Sequence, residues 1–287
     1  MCNQCETHTD TDELIASLLT EQRNPRSVGI AKLPVLEMLQ VINEEDQTVA
    51  LRVREALPQI VQAVTLIEER LRQGGRLIYV GAGTSGRLGC MDAAECGPTY
   101  GVSNVLSVMA GGREAMFAAQ EGVEDDKMAA AQDLAARDLT AQDVVCAVAA
   151  SGRTPYCIGA LQYAETVAAG RISISCNPDA VLSRYAQAAI EVATGPEVIM
   201  GSTRMKAATA QKMIVNMLST AAMVRLGRTY DNLMVNIRAH NEKADNRMLR
   251  LFAEALGDGD IANAKARLEV AHGDLAAAVR DALAETP

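Results

Sequence analysis

A glycine-rich turn at residues 81–89 carries the residues with the clearest chemistry in the sequence. The stretch reads GAGTSGRLG, it directly follows the apolar run RLIYV, and its first six letters fit the pattern G-x-G-x-x-G. Such glycines, Gly83 among them, let backbone N–H groups approach a phosphate. The side chains of Thr84, Ser85 and Arg87 can donate hydrogen bonds to phosphate or sugar oxygens. The turn therefore predicts binding of a dinucleotide or of a smaller phosphorylated ligand.

A dinucleotide site also needs an acidic residue about 20 residues further on, at the end of the second strand, to bind the ribose hydroxyls. Here the second apolar run ends VMAGGRE, so that Glu114 lies beyond two glycines. Arg113 suggests a 2′-phosphate at best. The sequence therefore favours a phosphorylated sugar over a nicotinamide cofactor, and we expect no cofactor.

Two further polar turns follow apolar runs later in the chain. ASGRTPY enters a helical pattern, and GPEVIMGSTRMKAATAQK precedes a long one. The residues that we predict to bind the ligand are Ser151, Gly152, Arg153 and Thr154 in the first turn, and Glu197, Ser202, Thr203 and Lys206 in the second. Either turn alone is equally well explained as a helix cap. Three such turns at strand ends together favour a binding site, with the helix N-termini contributing to anion binding.

Five short apolar runs, at 76–83, 104–111, 143–150, 171–178 and 188–195, are strand candidates. Helical patterns such as 154–170 lie between most of them. Strands that alternate with helices predict an α/β fold, a three-layer αβα sandwich with a mostly parallel five-stranded sheet. Ligands of such sheets bind at the carboxyl ends of the strands, where the polar turns lie.

Helical patterns flank the predicted sheet. Residues 45–73 show apolar positions at three- and four-residue steps, and Pro58 predicts two helices or one broken helix. After Gly195 the chain reads as helical over 203–227, 231–255 and 260–284, with a boundary at Gly257–Gly259. We divide the chain into a tail and lead-in over 1–44, a phosphosugar domain with flanking helices over 45–235, and a C-terminal helical segment over 236–287.

Composition excludes several classes of partner. The 36 acidic and 27 basic residues give a net charge of −9, which argues against nucleic acid and anionic membranes. No stretch approaches 18 uninterrupted apolar residues, and the acidic first twenty residues do not fit a secretory signal, so we expect a cytoplasmic protein. Seven cysteines predict reduced thiols. Cys2 and Cys5 are more simply two incidental thiols than a metal or redox site, and scattered histidines predict no metal.

Longer motifs carry a family resemblance. LTEQRNP, EMLQVINEED, RLIYVGAGTSGRLGCMDAAECGPTYGV, EGVEDD, AASGRTPY, ISCNP, GPEVIMGSTRMKAATAQKM and NLMVNIRAHNEK occur in this order across roughly residues 19–243. With them the chain resembles the N-acetylmuramic acid 6-phosphate etherases of the sugar isomerase (SIS) superfamily. The resemblance implies a flavodoxin-like SIS domain, a homodimer, and cytoplasmic cleavage of the D-lactyl ether of a phosphorylated amino sugar. The products would be N-acetylglucosamine 6-phosphate and D-lactate.

The resemblance also implies two catalytic carboxyl groups, Glu95 in DAAECGP and Glu124 in EGVEDD. Glu95 would protonate the departing lactate and later help to activate water, and Glu124 would remove the proton from carbon 2. The apolar surroundings of Glu95 independently predict partial burial and a raised pKa, as an acid requires. Glu124 lies in an acidic cluster that, by itself, reads as a solvated helix start.

Two positions depart from the family pattern: Gly97 replaces an expected proline and Ala208 an expected glycine, and either change could alter the rigidity of a loop. Two alternatives share the predicted fold, an aldose–ketose phosphosugar isomerase and a phosphosugar-binding regulator. Both carboxylates are present, and the sequence contains neither a second SIS copy nor a basic DNA-reading domain, which favours the etherase.

Overall fold

The computed structural model describes residues 16–236, 242–256 and 261–284. Its central element is a parallel sheet of five strands in the order β2-β1-β3-β4-β5. The strands are β1 (Leu77–Gly81), β2 (Val105–Met109), β3 (Val144–Val148), β4 (Gly170–Ser175) and β5 (Ala188–Glu191). One strand lies in or overlaps each of the five predicted apolar runs, which confirms the predicted sheet.

Helices cover both faces of the sheet. They are α1 (Val35–Glu55), α2 (Leu57–Arg72), α3 (Gly83–Tyr100), α4 (Gly112–Phe117), α5 (Lys127–Ala135), α6 (Pro155–Thr166) and α7 (Lys206–Arg225). Side chains alternate between the faces along a strand. Leu77 and Tyr79 therefore pack in one core with α1, α2, α3 and α7. Ile78 and Val80 pack in a second core with α5 and α6. This arrangement confirms the three-layer prediction.

The break predicted at Pro58 lies between α1 and α2. Ala56 separates the two helices, and Pro58 occupies the first turn of α2, where a missing N–H leaves no hydrogen bond unmade. The first helix begins at Val35, ten residues earlier than the pattern predicted, because Val35, Leu36 and Leu39 are exposed and gave no amphipathic signal.

The strand order creates a crevice at one edge of the sheet. The chain leaves β1 towards β2 on one side, and β3 then pairs with the other side of β1. The loops after β1 and β3 therefore diverge above the carboxyl ends of neighbouring strands, the usual position of a ligand in an open α/β sheet. Two of the three predicted polar turns are these loops.

The C-terminal region differs in part from its prediction. Instead of a helix from 231, residues 230–236 form a turn with a bridge between Tyr230 and Leu233, and α8 spans Glu242–Leu256. The helix predicted over 260–284 is two helices, α9 (Ile261–Val270) and α10 (Leu275–Ala284). The chain reverses between them at Gly273, whose φ is +79°. The boundary proposed at Gly257–Gly259 lies outside the described residues.

These helices form a separate core around the fully buried Phe252, with Met248, Leu275 and Val279. Val235 packs in the same core, close to the predicted domain boundary at 236. The boundary itself stays a prediction.

Both departures from the family pattern lie in helices rather than loops. Gly97 is in the last two turns of α3, and its carbonyl accepts a hydrogen bond from Gly101 N at 2.9 Å. Ala208 is buried in the first turn of α7. The expected effect on loop rigidity is therefore wrong for both positions.

None of the helices in the described ranges is long and apolar enough to cross a membrane. Across the same ranges, no group of three or more histidine, cysteine, aspartate or glutamate side chains could hold a metal ion. Cys90, Cys96, Cys146, Cys157 and Cys176 are free thiols. The Cys2 and Cys5 pair lies outside the described residues.

Candidate active site

A cavity of about 280 Å³ lies at the carboxyl ends of β1 and β3. This volume is just below the usual range for ligand pockets, about 300–1,000 Å³. It suits one sugar phosphate better than a dinucleotide. Eight of the predicted site residues line it: Gly83, Thr84, Ser85, Arg87, Glu124, Ser151, Thr154 and Thr203.

The start of α3 forms one wall of the cavity. Two glycines of G-x-G-x-x-G are required here by close packing, because a Cβ on Gly81 would lie 2.7 Å from the backbone N of Gly86, and one on Gly86 would lie 2.7 Å from the carbonyl O of Gly81. Gly83 has open space around it and instead holds a φ of +52°. The turn therefore brings the first N–H groups of α3 to the sheet edge, and Ala82, at the N-cap, offers no side chain to satisfy them. These donors remain available to an anion.

The start of α6 forms the facing wall. Gly152 holds a φ of +68°, and a Cβ there would lie 2.5 Å from that of Ala180, so the turn requires glycine. Thr154 is the N-cap residue but makes no capping hydrogen bond. Its hydroxyl and the Ser151 side chain line the cavity together. Gly152 and Arg153 do not line it and shape the turn instead.

Arg87 lines the cavity, but its guanidinium already donates hydrogen bonds to the backbone. Its guanidinium donates to the carbonyl oxygens of Ala115 at 2.7 Å and Met116 at 3.1 Å, at the end of α4. The donors that face a bound anion are therefore mainly backbone N–H groups and neutral hydroxyls.

The acidic cluster after α4 divides into two roles. Asp126 caps α5, because its carboxylate accepts from Met128 N at 2.9 Å and Ala129 N at 3.0 Å. Glu124 lies two residues earlier, in the short 3-10 helix Val123–Asp125, and its half-buried side chain lines the cavity. Glu121 lines the cavity as well. The sequence pattern predicted a solvated helix start for the whole cluster. That prediction holds for Asp126 but not for Glu124.

Glu95 is an exposed residue of α3 and does not line the cavity of its own chain. The predicted partial burial is therefore wrong. Ten residues of helix separate it from Ser85, about 15 Å along the axis. The buried acid of this helix is Asp92, whose Oδ1 accepts from Asn216 Nδ2 at 2.6 Å and Ser219 Oγ at 3.1 Å. Burial raises the pKa of Asp92.

The third polar turn contributes Thr203 alone. Glu197 is fully buried and caps α7, accepting from the backbone N atoms of Lys206 and Ala207 at 2.9 Å each. Burial raises its pKa. Lys206 is buried too, with its Nζ 2.6 Å from Glu45 Oε2. Ser202 does not line the cavity. The polar pattern of this turn therefore mainly reflects the folding of α7.

Sequence reasoning missed Glu21, which lines the cavity from the lead-in segment, residues 16–34. The segment is fixed by its neighbours: Asn177 Nδ2 donates to Thr20 Oγ1 at 3.0 Å, Asn24 Nδ2 to Glu45 Oε2 at 2.8 Å, and Ser27 Oγ to the Val198 carbonyl at 2.7 Å. The motif LTEQRNP was the only signal, and nothing local places it at the sheet edge.

Known proteins identify the family. Over 245 residues the chain is 54% identical to the N-acetylmuramic acid 6-phosphate etherase of Mycolicibacterium smegmatis, covering 85% of this chain and 82% of that protein. It is 49% identical over 273 residues to N-acetylmuramic acid 6-phosphate etherase 2 of Vibrio cholerae, covering 93% and 89%. The chain belongs to the N-acetylmuramic acid 6-phosphate etherase family. Residues 59–165 of this family member match the glucokinase regulatory protein N-terminal SIS domain, and residues 114–221 match the SIS domain.

Solved structures agree on the fold. A Bacteroides fragilis protein described as a phosphosugar isomerase involved in capsule formation matches with a TM-score of 0.54 at 22% identity, covering 72% of this etherase-family chain and 99% of that chain. A phosphoheptose isomerase from Francisella tularensis matches with a TM-score of 0.50 at 19% identity, covering 66% and 98%. The α/β domain therefore has the SIS fold.

The buried pair Glu45 and Lys206 gives a prediction about acid stability. Burial alone would raise the pKa of Glu45, but the hydrogen bonds from Lys206 and Asn24 outweigh it and hold the pKa below the ordinary 4.5. A carboxylate with a lowered folded pKa stabilises the fold above its unfolded pKa, and this stabilisation is lost as the pH falls through the folded value. Glu45→Gln leaves the buried ammonium of Lys206 without the carboxylate that pairs with it at neutral pH. The variant should therefore lose about 3–5 kcal/mol of unfolding free energy at neutral pH.

Measuring the free energy of unfolding with denaturant, at neutral pH and at a pH below the lowered folded pKa of Glu45, tests this prediction. The difference in unfolding free energy between the parent and Glu45→Gln should become smaller in acid, because Glu45 of the parent is then protonated and uncharged. Glu55→Gln is the matched control, since Glu55 pairs with Arg52 at an exposed position apart from Glu45 and should change stability by about 0.5 kcal/mol or less. An equal loss from Glu45→Gln at both pH values would contradict the role assigned to the pair.

Proposed function

We propose that this protein cleaves the D-lactyl ether of N-acetylmuramic acid 6-phosphate, giving N-acetylglucosamine 6-phosphate and D-lactate. One observation supports this most strongly. In a chain about half identical to named etherases, a sheet-edge cavity combines two helix N-termini, which suit a phosphate, with the half-buried Glu124, which suits a base.

The chemistry follows from the substrate. The alkoxide of an alkyl ether is a poor leaving group, but opening of the sugar ring to its aldehyde makes the proton at carbon 2 acidic. The lactyl ether at carbon 3 is then beta to the carbonyl. A base removes the carbon-2 proton, an acid protonates the ether oxygen as its bond to carbon 3 breaks, and water adds at carbon 3 of the resulting double bond while carbon 2 regains a proton. Two carboxyl groups suffice for these proton transfers.

The phosphate fits between the starts of α3 and α6. There Ser85, Ser151 and Thr154 line the cavity beside the free N–H groups at the starts of both helices. Because Arg87 is engaged with carbonyl oxygens, recognition relies on neutral donors aimed at the anion. In this proposal the same end of the cavity orients the sugar so that carbon 2 faces Glu124.

Ser151→Ala should weaken the binding of N-acetylglucosamine 6-phosphate about 10- to 150-fold. It removes one hydrogen bond to a charged group, which contributes about 1.5–3 kcal/mol. Calorimetric titration measures the effect. Ser183→Ala is a matched control, because the Ser183 hydroxyl donates to Glu191 away from the cavity. A change of less than about 2-fold in Ser151→Ala would remove this hydroxyl from the phosphate site.

Glu95 takes part in the proposal through a second copy of the chain. Its helix packs on α7 beside a groove of about 780 Å³, lined by apolar residues such as Val61, Val64 and Met217. Asn216, which donates to Asp92, also lines that groove. Exposed Met91 shares the face of Glu95, four residues earlier. A two-fold dimer that covers this region would bury the apolar surface and carry Glu95 towards the partner's cavity.

The proposal includes a cytoplasmic location. Cys146, Cys157 and Cys176 are buried free thiols, and burial raises the pKa of Cys157 and Cys176 to about 12. Protonated, unpaired thiols are typical of a reducing compartment.

Incubation of the purified protein with N-acetylmuramic acid 6-phosphate in deuterated, oxygen-18 water tests the reaction. Elimination followed by hydration should give free lactate, deuterium at carbon 2 and heavy oxygen at carbon 3 of the sugar. An isomerase would instead yield a ketose, and a regulator would return the compound unchanged, so either result would overturn the proposal.

A further inference from the structure

The hydroxyl of Ser85 is directed away from the cavity that it lines. Ser85 Oγ donates to Oε1 of Gln211, on α7, at 2.9 Å. Gln211 is 1% exposed and Ser85 is 8% exposed, so water has little access to this hydrogen bond. In this arrangement the serine proton is therefore committed to Gln211.

A phosphate changes what this hydroxyl must do. Phosphate oxygens at neutral pH chiefly accept hydrogen bonds, so Ser85 must turn its proton towards the cavity to bind one. The Ser85 oxygen would then face Oε1 of Gln211 without a proton between them. Two hydrogen-bond acceptors would lie next to each other at a site that water does not reach. Such a buried, unmatched contact is unfavourable.

The other end of the same amide resolves the conflict. Gln211 Nε2 is buried and has no hydrogen-bond partner among the residues that the structure describes. A half-turn of the amide exchanges its oxygen and nitrogen. Nε2 then donates to Ser85 Oγ, and the serine proton is free for the phosphate. The amide oxygen then takes the place that Nε2 held.

The thiol of Cys176, which contacts the turn of α7 that precedes Gln211, can donate to that oxygen. Burial raises the pKa of its thiol to about 12. The thiol therefore keeps its proton and is a weak donor. Its present contact is long, 3.6 Å to the carbonyl of Ala207.

We propose that Gln211 is a positioning residue for the phosphate, whose amide reverses when the ligand binds so that Ser85 changes from a donor to Gln211 into a donor to the phosphate. Both states leave Ser85 hydrogen-bonded to Gln211 in one direction or the other. The inference rests on the proposed function, because it assigns Ser85 to the phosphate of the sugar.

A double-mutant cycle tests the coupling. Affinity for N-acetylglucosamine 6-phosphate is measured in the parent, Gln211→Met, Ser85→Ala and the double variant, together with melting temperatures. Methionine keeps the length of glutamine without its donor. Gln211→Met should weaken binding about 5- to 10-fold when Ser85 is present and less than about 2-fold when it is alanine. Equal losses in both backgrounds, or no loss in either, would overturn the inference.

NMR of the Gln211 side chain distinguishes a reversal of its amide from a role in packing alone. The side-chain amide NMR signals of Gln211, assigned by their absence in Gln211→Met, should shift when N-acetylglucosamine 6-phosphate is added to the parent. They should stay in place with N-acetylglucosamine, which lacks the phosphate, and in Ser85→Ala. Unmoved signals in a parent that binds the phosphosugar would reject the reversal while the proposed function stands. A parent that does not bind it would reject the proposed function.

Discussion

Glu124→Gln is expected to cleave N-acetylmuramic acid 6-phosphate at least about 100-fold more slowly than the parent protein, because a positioned base contributes about 10²–10⁴-fold in rate. Glutamine keeps the shape of the side chain but cannot take the carbon-2 proton. The fold should survive, since Glu124 is only half-buried and lies in a short 3-10 helix rather than in a core.

Steady-state kinetics and the exchange of deuterium into carbon 2 measure the loss. Both should fall together if Glu124 is the base, while the affinity for N-acetylglucosamine 6-phosphate changes little. Asp125→Asn is the matched control, because Asp125 is the next residue, exposed, and does not line the cavity. A loss of less than about 10-fold in Glu124→Gln would assign proton removal to another group.

Glu95→Gln should also lower turnover at least about 100-fold, as expected for loss of the acid that protonates the departing lactate. This prediction is more demanding, because Glu95 is exposed in its own chain and distant from the cavity. The residue can act only if a neighbouring copy presents it, so the prediction concerns assembly as well as chemistry.

Mixed subunits distinguish action on the partner from action within one chain. When Glu95→Gln and Glu124→Gln subunits are unfolded, mixed equally and refolded, random pairing makes half of the dimers mixed. Each mixed dimer then contains one site with both glutamates, so activity should recover to about a quarter of that of the parent. Each variant refolded alone supplies the baseline. A mixture no more active than that baseline would exclude contribution of Glu95 to the partner's site.

The sequence predicted the sheet and its edge well, and for a physical reason. Strands buried on both faces read as short apolar runs, and a turn that must admit backbone to a phosphate reads as glycine and hydroxyl residues. The positions of Ser85, Ser151 and Thr154 on the cavity follow from those two local signals.

Other features depend on contacts between distant parts of the chain. Glu21 reaches the cavity because Thr20 pairs with Asn177, 157 residues later. Glu197 and Lys206 have the same polar character as ligand-binding residues, but a helix cap and an ion pair satisfy them instead. The surroundings expected for Glu95 belong to Asp92, three residues earlier, because the face of α3 that meets α7 decides which acid is buried.

The link between Asn24, Glu45 and Lys206 also bears on how this family can diverge. Removing Glu45 leaves the Lys206 ammonium enclosed without its counter-ion, and removing Lys206 leaves the buried Glu45 carboxylate with Arg26 alone, 3.0 Å away. We therefore expect single exchanges at 45 or 206 to be disfavoured, although neither residue lines the cavity. Among aligned relatives, these three positions should therefore covary, and apolar replacements of 45 and 206 should occur jointly.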